Sequence, residues 1–203
     1  GGWASALLPM SMERVAQLAG GNREAAINAA ATMNSMVREL GDTTASLGID
    51  CDYRRAGTFI AARTPVQEQR ARADLAHGKS WGDTDTQWLP TMSAARFAAM
   101  DQLLGGTFTP NCASLHPAKL VTGLAREVAQ RGVCILEGVT VTGFEKGRVQ
   151  TDRGELRARV TVRATEGYTN SLPDGARTFA PVYSLMIATA PLPADVLDAI
   201  AVP

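Results

Sequence analysis

Ala164, Thr165, Glu166 and Gly167 stand where an apolar strand runs out into a turn, in the stretch VTVRATEGY. Ligands in open α/β sheets gather beyond the carboxyl ends of strands. Small residues at such an end let backbone N–H groups come up to a phosphate or a ribose. The competing reading is a plain strand exit with Gly as the turn residue. A second run, Gly1-Gly2-Trp3-Ala4, could bring backbone close to a flat ligand, because glycine carries no Cβ. The competing reading there is a flexible end.

His116 has the chemistry of a general base, or of a helix cap just ahead of Pro117. His77 falls on a charged helix end and is expected in solvent. Arg54-Arg55 could grip a carboxylate, since guanidinium forks match that group; otherwise the pair straddles a strand. Tyr183 and Met186, on the apolar run YSLMIAT, either face a substrate or pack in a core. Three cysteines, far apart and odd in number, match neither a disulfide framework nor a zinc pattern. With only two histidines in separate segments, a His-based metal site is not expected.

These residues need elements to position them. Asn22 is placed to cap a long helix whose stripe runs through Ala30, Met33, Val37, Leu40, Thr44 and Leu47, with Gly48 as its stop. Tyr53–Ala62 reads as a strand or a kinked strand pair around Gly57. A charged helix is expected over Val66–Gly78, a polar loop over 79–91 and a short helix over Met92–Leu103. Gly105-Gly106 reads as a break before an extended Thr107–Thr109. Pro117 opens a helix, since proline suits the first helical position. Leu120, Val121, Leu124 and Val128 form its expected buried face, and Gly132 its end. Strands are expected at Val133–Leu136, Val139–Phe144, Val149–Thr151, Arg157–Thr165 and Tyr183–Thr189, then a helix over Ala194–Ile200. The order helix, Gly stop, short strand, hairpin and strand-to-turn is how the later part of a dinucleotide-binding α/β sheet is built. The usual G-x-G-x-x-G loop is absent.

Composition narrows the classes. The chain has 203 residues, room for one large domain or two small ones. Hydrophobic residues make up 45%, enough for an ordinary core. Twenty basic and twenty acidic residues cancel, so no net field steers nucleic acid or anionic membranes. No apolar run approaches the roughly 20 residues that span a bilayer. The expectation is a protein of the reducing cytoplasm. A Gly-Gly-Trp start without Met suggests a piece of something longer.

GGWASALLP, then HPAKL with GLAREVAQRGV, ILEGVTV, VRATEGYTNSLP and PVYSLMIATAPLP, in that order, resemble the FAD-dependent amine and amino-acid oxidoreductases. This is the D-amino-acid oxidase-like group that includes glycine and sarcosine oxidases. The Gly-Gly-Trp start is similar to the R-N-G-G-x segment of its putrescine-derivative oxidase branch. The resemblance implies an α/β fold in which a partial Rossmann-like FAD-binding domain is interleaved with a substrate domain built on a mixed sheet. On that mapping, residues 1–49 and 110–175 belong to the FAD-binding domain, and 50–109 and 176–203 to the substrate domain.

The resemblance also implies roles. Gly1, Gly2, Trp3 and Ala4 would lie against the flavin ring. Val141 would meet the adenine through its backbone. Ala164, Thr165 and Glu166 would pass the ribose and pyrophosphate. The family usually has Gly where this chain has Glu166, and an acidic side chain near a pyrophosphate is repulsive unless it is turned away. Tyr183 is the candidate for substrate contact. The implied cofactor is FAD, the implied reaction is hydride transfer from a primary or secondary amine, an amino acid or polyamine derivative, and the implied partner is that small amine. A dehydrogenase with another electron acceptor, and a non-catalytic scaffold without cofactor, remain alternatives.

Overall fold

The computed structural model describes residues 2–172, 174–180, 182, 185, 187 and 189–200. Its helices and strands are of the mixed α/β kind expected. They form two compact units, residues 1–131 with 191–203, and residues 132–190.

In the first unit, β1 (Gly2–Ser5) leads into α1 (Met12–Leu18) and α2 (Arg23–Ser46). The α1 helix was not expected; Ser11 starts it by accepting from the Arg14 N–H at 3.3 Å. The Asn22 side chain caps α2 as expected, accepting from the Ala25 N–H at 3.0 Å, a contact worth about 1 kcal/mol. Gly48, at φ 64°, ends it. Ala16 and Ala26 let the two helices close together, and Trp81 completes their buried cluster. Farther along α2, the Tyr53 ring lies over Gly41, where any side chain would collide. The Tyr53 hydroxyl donates to the Val37 carbonyl. Burial pushes this phenol above its ordinary range.

β2 (Thr58–Ala62), α3 (Pro65–Ser80), β3 (Gln87–Pro90), α4 (Thr91–Ala94) and β4 (Gly105–Thr109) follow. Thr64 and Gln67 cap α3 reciprocally, side chain to backbone in both directions. The strands form an antiparallel sheet in the order β2-β4-β3. Here the structure corrects several expectations. Of the strand or kinked strand pair expected over Tyr53–Ala62, the first half keeps only a single bridge from Arg54 to Ser114 and the second half is β2, because Gly57 turns at φ 80° between them. The loop at 79–91 ends in a strand, because β4 supplies it with partners. The helix at 92–103 is one turn long. The pair Gly105-Gly106 does not break the chain but sits inside β4. Trp88 lies over Gly105 and Phe59 over Gly106, so neither site has room for a Cβ. Phe97 closes the sheet, with ring centroids 5.5 Å from Phe59 and 4.8 Å from Phe108.

β5 (Cys112–Leu115) pairs antiparallel with β1 and runs into α5 (Pro117–Gln130). Gly132 follows α5 at φ 85°. The apolar stripe expected to be buried is only partly covered among the described residues: Leu120 and Val128 are half-buried, while Val121 is 64% exposed. α6 (Ala194–Ile200) forms where expected and accepts the Ala99 N–H through the Ile200 carbonyl at 2.9 Å.

The second unit is a three-stranded antiparallel meander, β6 (Val141–Glu145), β7 (Arg148–Thr151) and β8 (Gly154–Arg157). Gly147 and Asp152–Gly154 make its turns, as expected. Among the described residues, two expected strands do not form as read. Val133–Leu136 has no strand partner among the described residues. The strand expected over Arg157–Thr165 stops at Arg157, and Ala158 makes the last bond of that edge, to the Gly147 carbonyl at 3.1 Å. A 3-10 turn, Glu166–Ser171, ends the segment. The expected strand Tyr183–Thr189 lies largely outside the described residues.

Candidate functional site

The sequence candidates fall into two places, one in each unit. In the first unit, Gly2, Trp3 and Ala4 form β1, facing Leu115, Ser114 and Ala113 of β5. Gly2 meets the Pro117 ring so closely that a Cβ could not fit. The requirement for glycine there is therefore met by the chain's own packing. Trp3 is 66% exposed on the strand. Gly1 lies outside the described residues.

His116 proves to be a cap. Its Nδ1 accepts from the Lys119 N–H at 3.3 Å, at the start of α5. His77 lies exposed in the last turn of α3. Its Nε2 is 3.1 Å from a Glu13 oxygen, which also accepts from Trp81 Nε1 at 3.0 Å. The Glu13 carboxyl is held below its usual range, first by its own backbone N–H. Of the arginine pair, Arg54 bridges to Ser114 across the sheet, and Arg55 Nε donates to the Pro110 carbonyl at 3.0 Å.

β1 leaves the sheet at Ala6, whose N–H bonds the Asn111 carbonyl at 3.1 Å. Beside that point opens a cleft of about 560 Å³, within the size range of small-molecule sites. Asn34 and Arg38 line it from one face of α2, Arg55 from the chain before β2, and Asp83 and Asp85 from the turn after α3. Asp83 Oδ1 accepts from the Asp85 N–H at 2.9 Å and the Thr86 N–H at 3.1 Å, which fixes that turn. Burial pushes the Asp83 carboxyl up, but the Thr86 and Asp85 donors and the Lys79 charge outweigh it. The net effect holds Asp83 below its ordinary value. Asp85 Oδ2 accepts from the buried Asn111 amide at 2.7 Å.

Sequence reading did not single out this cleft. Its groups come from four separated segments. The local sign is Gly82-Asp83-Thr84-Asp85, a turn sequence in which the Asp83 side chain bonds the turn's own backbone.

In the second unit, Val141 opens β6 opposite Thr151, with a register shift before Gly143. Ala164 is exposed, as is Val141 at 36%. Thr165 is half-buried, its hydroxyl 2.7 Å from that of Thr169. Glu166 adopts φ 44°, the left-handed region where glycine is favoured. This is the position at which the resemblance expects Gly, and the backbone there lies in a region that glycine favours. The Glu166 carboxylate turns back to accept from the Gly167 N–H. Arg163 lies with its guanidinium 4.7 Å from the Phe144 ring centroid, which links the Ala164 segment to β6. Tyr183 and Met186 lie outside the described residues.

Residues 9–203 match the family described as DAO, FAD dependent oxidoreductase. Over 161 residues the chain is 27% identical to the probable oxidoreductase OrdL of Haemophilus influenzae, covering 75% of this chain and 37% of that protein. It is 25% identical to gamma-glutamylputrescine oxidoreductase of Escherichia coli, over 72% of this chain and 35% of that protein. The chain thus spans little more than a third of either curated relative. Among solved structures, glycine oxidase from Geobacillus kaustophilus superposes with a TM-score of 0.61 at 21% identity, over 88% of this chain and 46% of that one. L-proline dehydrogenase from P. horikoshii gives 0.58 at 16% identity, over 70% and 40%. At those identities the likeness is one of fold.

Proposed function

The chain belongs to the FAD dependent oxidoreductase (DAO) family, which uses FAD, and from that premise we propose that it serves the oxidation of a primary or secondary amine. The substrate in this reading is an amino acid or a polyamine derivative. FAD, when bound, supplies the acceptor for the hydride leaving the carbon beside the nitrogen. In this reading the partner is that small amine and the setting a reducing cytoplasm.

The residues read as holding the cofactor are Gly1, Gly2, Trp3 and Ala4 at the flavin ring, and Val141, Ala164, Thr165 and Glu166 along the nucleotide. Tyr183 is the substrate contact in this reading. What carries the reading is the family match over residues 9–203. The second unit adds a physical point of fit. Ala164 leaves room on its segment, and the Glu166 carboxylate is bonded back onto the Gly167 N–H. A carboxylate so engaged has part of its charge met by a local donor, which lessens its repulsion of a pyrophosphate.

The test is the visible absorption spectrum of the complete gene product, before and after a panel of amines without oxygen. The expected result is a flavin spectrum that bleaches with one class of amine. A colourless preparation that takes up no added FAD overturns the reading. Amine-dependent bleaching without peroxide on admitting oxygen would instead favour a dehydrogenase with a different acceptor.

A further inference from the structure

Thr169 lies inside the 3-10 turn of the second unit and is only 3% exposed. A buried hydroxyl has to place its proton, because leaving it unmet costs about 1–3 kcal/mol. Ser171, two residues on, spends its proton on the Tyr168 carbonyl at 2.7 Å. Thr169 makes no such bond to backbone among the described residues. The partner its hydroxyl has there is the Thr165 hydroxyl, at 2.7 Å. The turn is held firmly around this pair. The Asn170 side chain donates to the Phe179 carbonyl at 2.9 Å and accepts from the Phe179 N–H at 3.3 Å. Gly175 comes so close to the Thr169 carbonyl that no side chain would fit there.

Two hydroxyls in contact carry two protons; one makes their mutual bond and one is left over. If Thr165 donated, the leftover proton would sit on the buried Thr169 with nothing to meet it. Thr169 therefore donates and Thr165 accepts. The leftover proton then belongs to Thr165, which is half-buried beside the exposed Ala164. The acidic acceptor of the same segment, the Glu166 carboxylate, is turned to the Gly167 N–H. From this we infer that Thr169 is a positioning residue: it fixes the polarity of the hydroxyl pair and so presents Thr165 as a donor to an acceptor oxygen in the ribose–pyrophosphate part of FAD. The inference rests on the flavin reading, which sets Thr165 along the nucleotide. It adds the direction of the hydrogen bond and the buried residue that enforces it.

The test is titration of FAD into the complete gene product freed of flavin, followed by the quenching of flavin fluorescence. Thr165→Val and Thr169→Val should each weaken FAD binding about three- to tenfold, the scale of one hydrogen bond. Thr169→Ser keeps the hydroxyl and should bind FAD within about twofold of wild type. The double variant should bind no more weakly than Thr165→Val alone, because Thr169 acts through Thr165. A Thr169 that only supports the fold would add its cost in either background, and that result overturns the inference. So does a Thr169→Val protein that binds FAD like wild type. Should Thr169→Val fail to fold, Thr165→Val against Thr165→Ser decides: affinity kept by the serine alone supports the inference, and equal affinity overturns it. A wild type that takes up no FAD removes the flavin reading and this inference with it. A wild type that binds FAD, with variants that do not differ from it, removes this inference alone.

Discussion

The Arg163 guanidinium packs 4.7 Å from the centre of the Phe144 ring while its NH1 lies 3.3 Å from an Asp174 carboxylate oxygen. One side chain thereby fastens the segment carrying Ala164 to the strand that begins at Val141, and both to the turn after Ser171. An exposed cation–π contact is worth roughly 0.5–1 kcal/mol, and a surface ion pair roughly 0–1. Arg163→Ala should therefore loosen the second unit by about 1 kcal/mol. Arg163→Lys should retain part of that, since a lysine keeps the charge but not the flat stacking group. Amide hydrogen exchange resolves the units separately. Faster exchange over β6 and the 3-10 turn, with residues 1–131 unchanged, is the expected result. Uniform exchange in wild type and Arg163→Ala would mean that the contact fastens nothing.

Glu166 occupies the left-handed region at φ 44°. A residue with a Cβ is strained there by about 1–2 kcal/mol, and glycine relieves that at some cost in unfolded-state entropy. Glu166→Gly should raise stability by about 0.5–1 kcal/mol, and Glu166→Asn, which tolerates this conformation, by a smaller amount. Glu166→Val should lower it by about 1 kcal/mol, because a β-branched residue fits the region worst. Denaturant melts of the three variants give the ranking. If Val equals or exceeds Gly, the backbone at 166 is not left-handed in solution.

How far the sequence foretold these features follows from how local their causes are. Asn22 and Gly48 bound α2 through contacts within a few residues, so α2 was readable, and so was α5 from His116-Pro117. β3 and β5 are four residues each and exist because β4 and β1 pair with them. Nothing within either tetrapeptide announces that. Gly105-Gly106 carried the local marks of a chain break. Their place in a strand comes from Trp88 and Phe59 lying across them, which only the assembled sheet reveals. The glycine expected at 166 is informative in another way: Glu166 stands there at φ 44°, a backbone region that glycine favours. The cleft was unreadable because Arg55, Asp85 and Asn111 meet only once β2, the turn after α3 and the β4–β5 connection are in place.

Gly123 lies in the interior of α5, and a Cβ there would come 2.5 Å from Cγ2 of Ile49. Replacing a helical glycine by alanine ordinarily adds about 1 kcal/mol. Here that gain competes with overpacking, which costs roughly 1–3 kcal/mol. Gly123→Ala should therefore bring no gain, and Gly123→Val a loss of about 2 kcal/mol. In an Ile49→Ala background the obstruction is gone, and Gly123→Ala should then stabilise by about 1 kcal/mol. A double-mutant cycle on thermal melts reads this coupling. Strictly additive effects would show that α5 does not pack on Ile49.

Asp83 provides the pH test of the cleft's acidic turn. Its carboxyl is held below the ordinary value even though burial opposes this, because the Thr86 and Asp85 donors and Lys79 favour the ionised form. A folded-state pKa below the unfolded one means that the unfolded chain binds more protons in the interval between the two. Stability then rises with pH across that interval. The contribution is present in full above the unfolded value of about 3.9 and is lost as pH falls through the lower folded value. Asp83→Asn keeps the shape and removes the ionisation. The wild type should melt above the variant near neutral pH, and the gap should close on acidification below about pH 4. Because the side chain is only partly buried, solvent moderates the size of the gap but not its sign. A gap that widens in acid would mean that the Asp83 carboxyl is raised rather than lowered, and that its backbone donors do not prevail over burial.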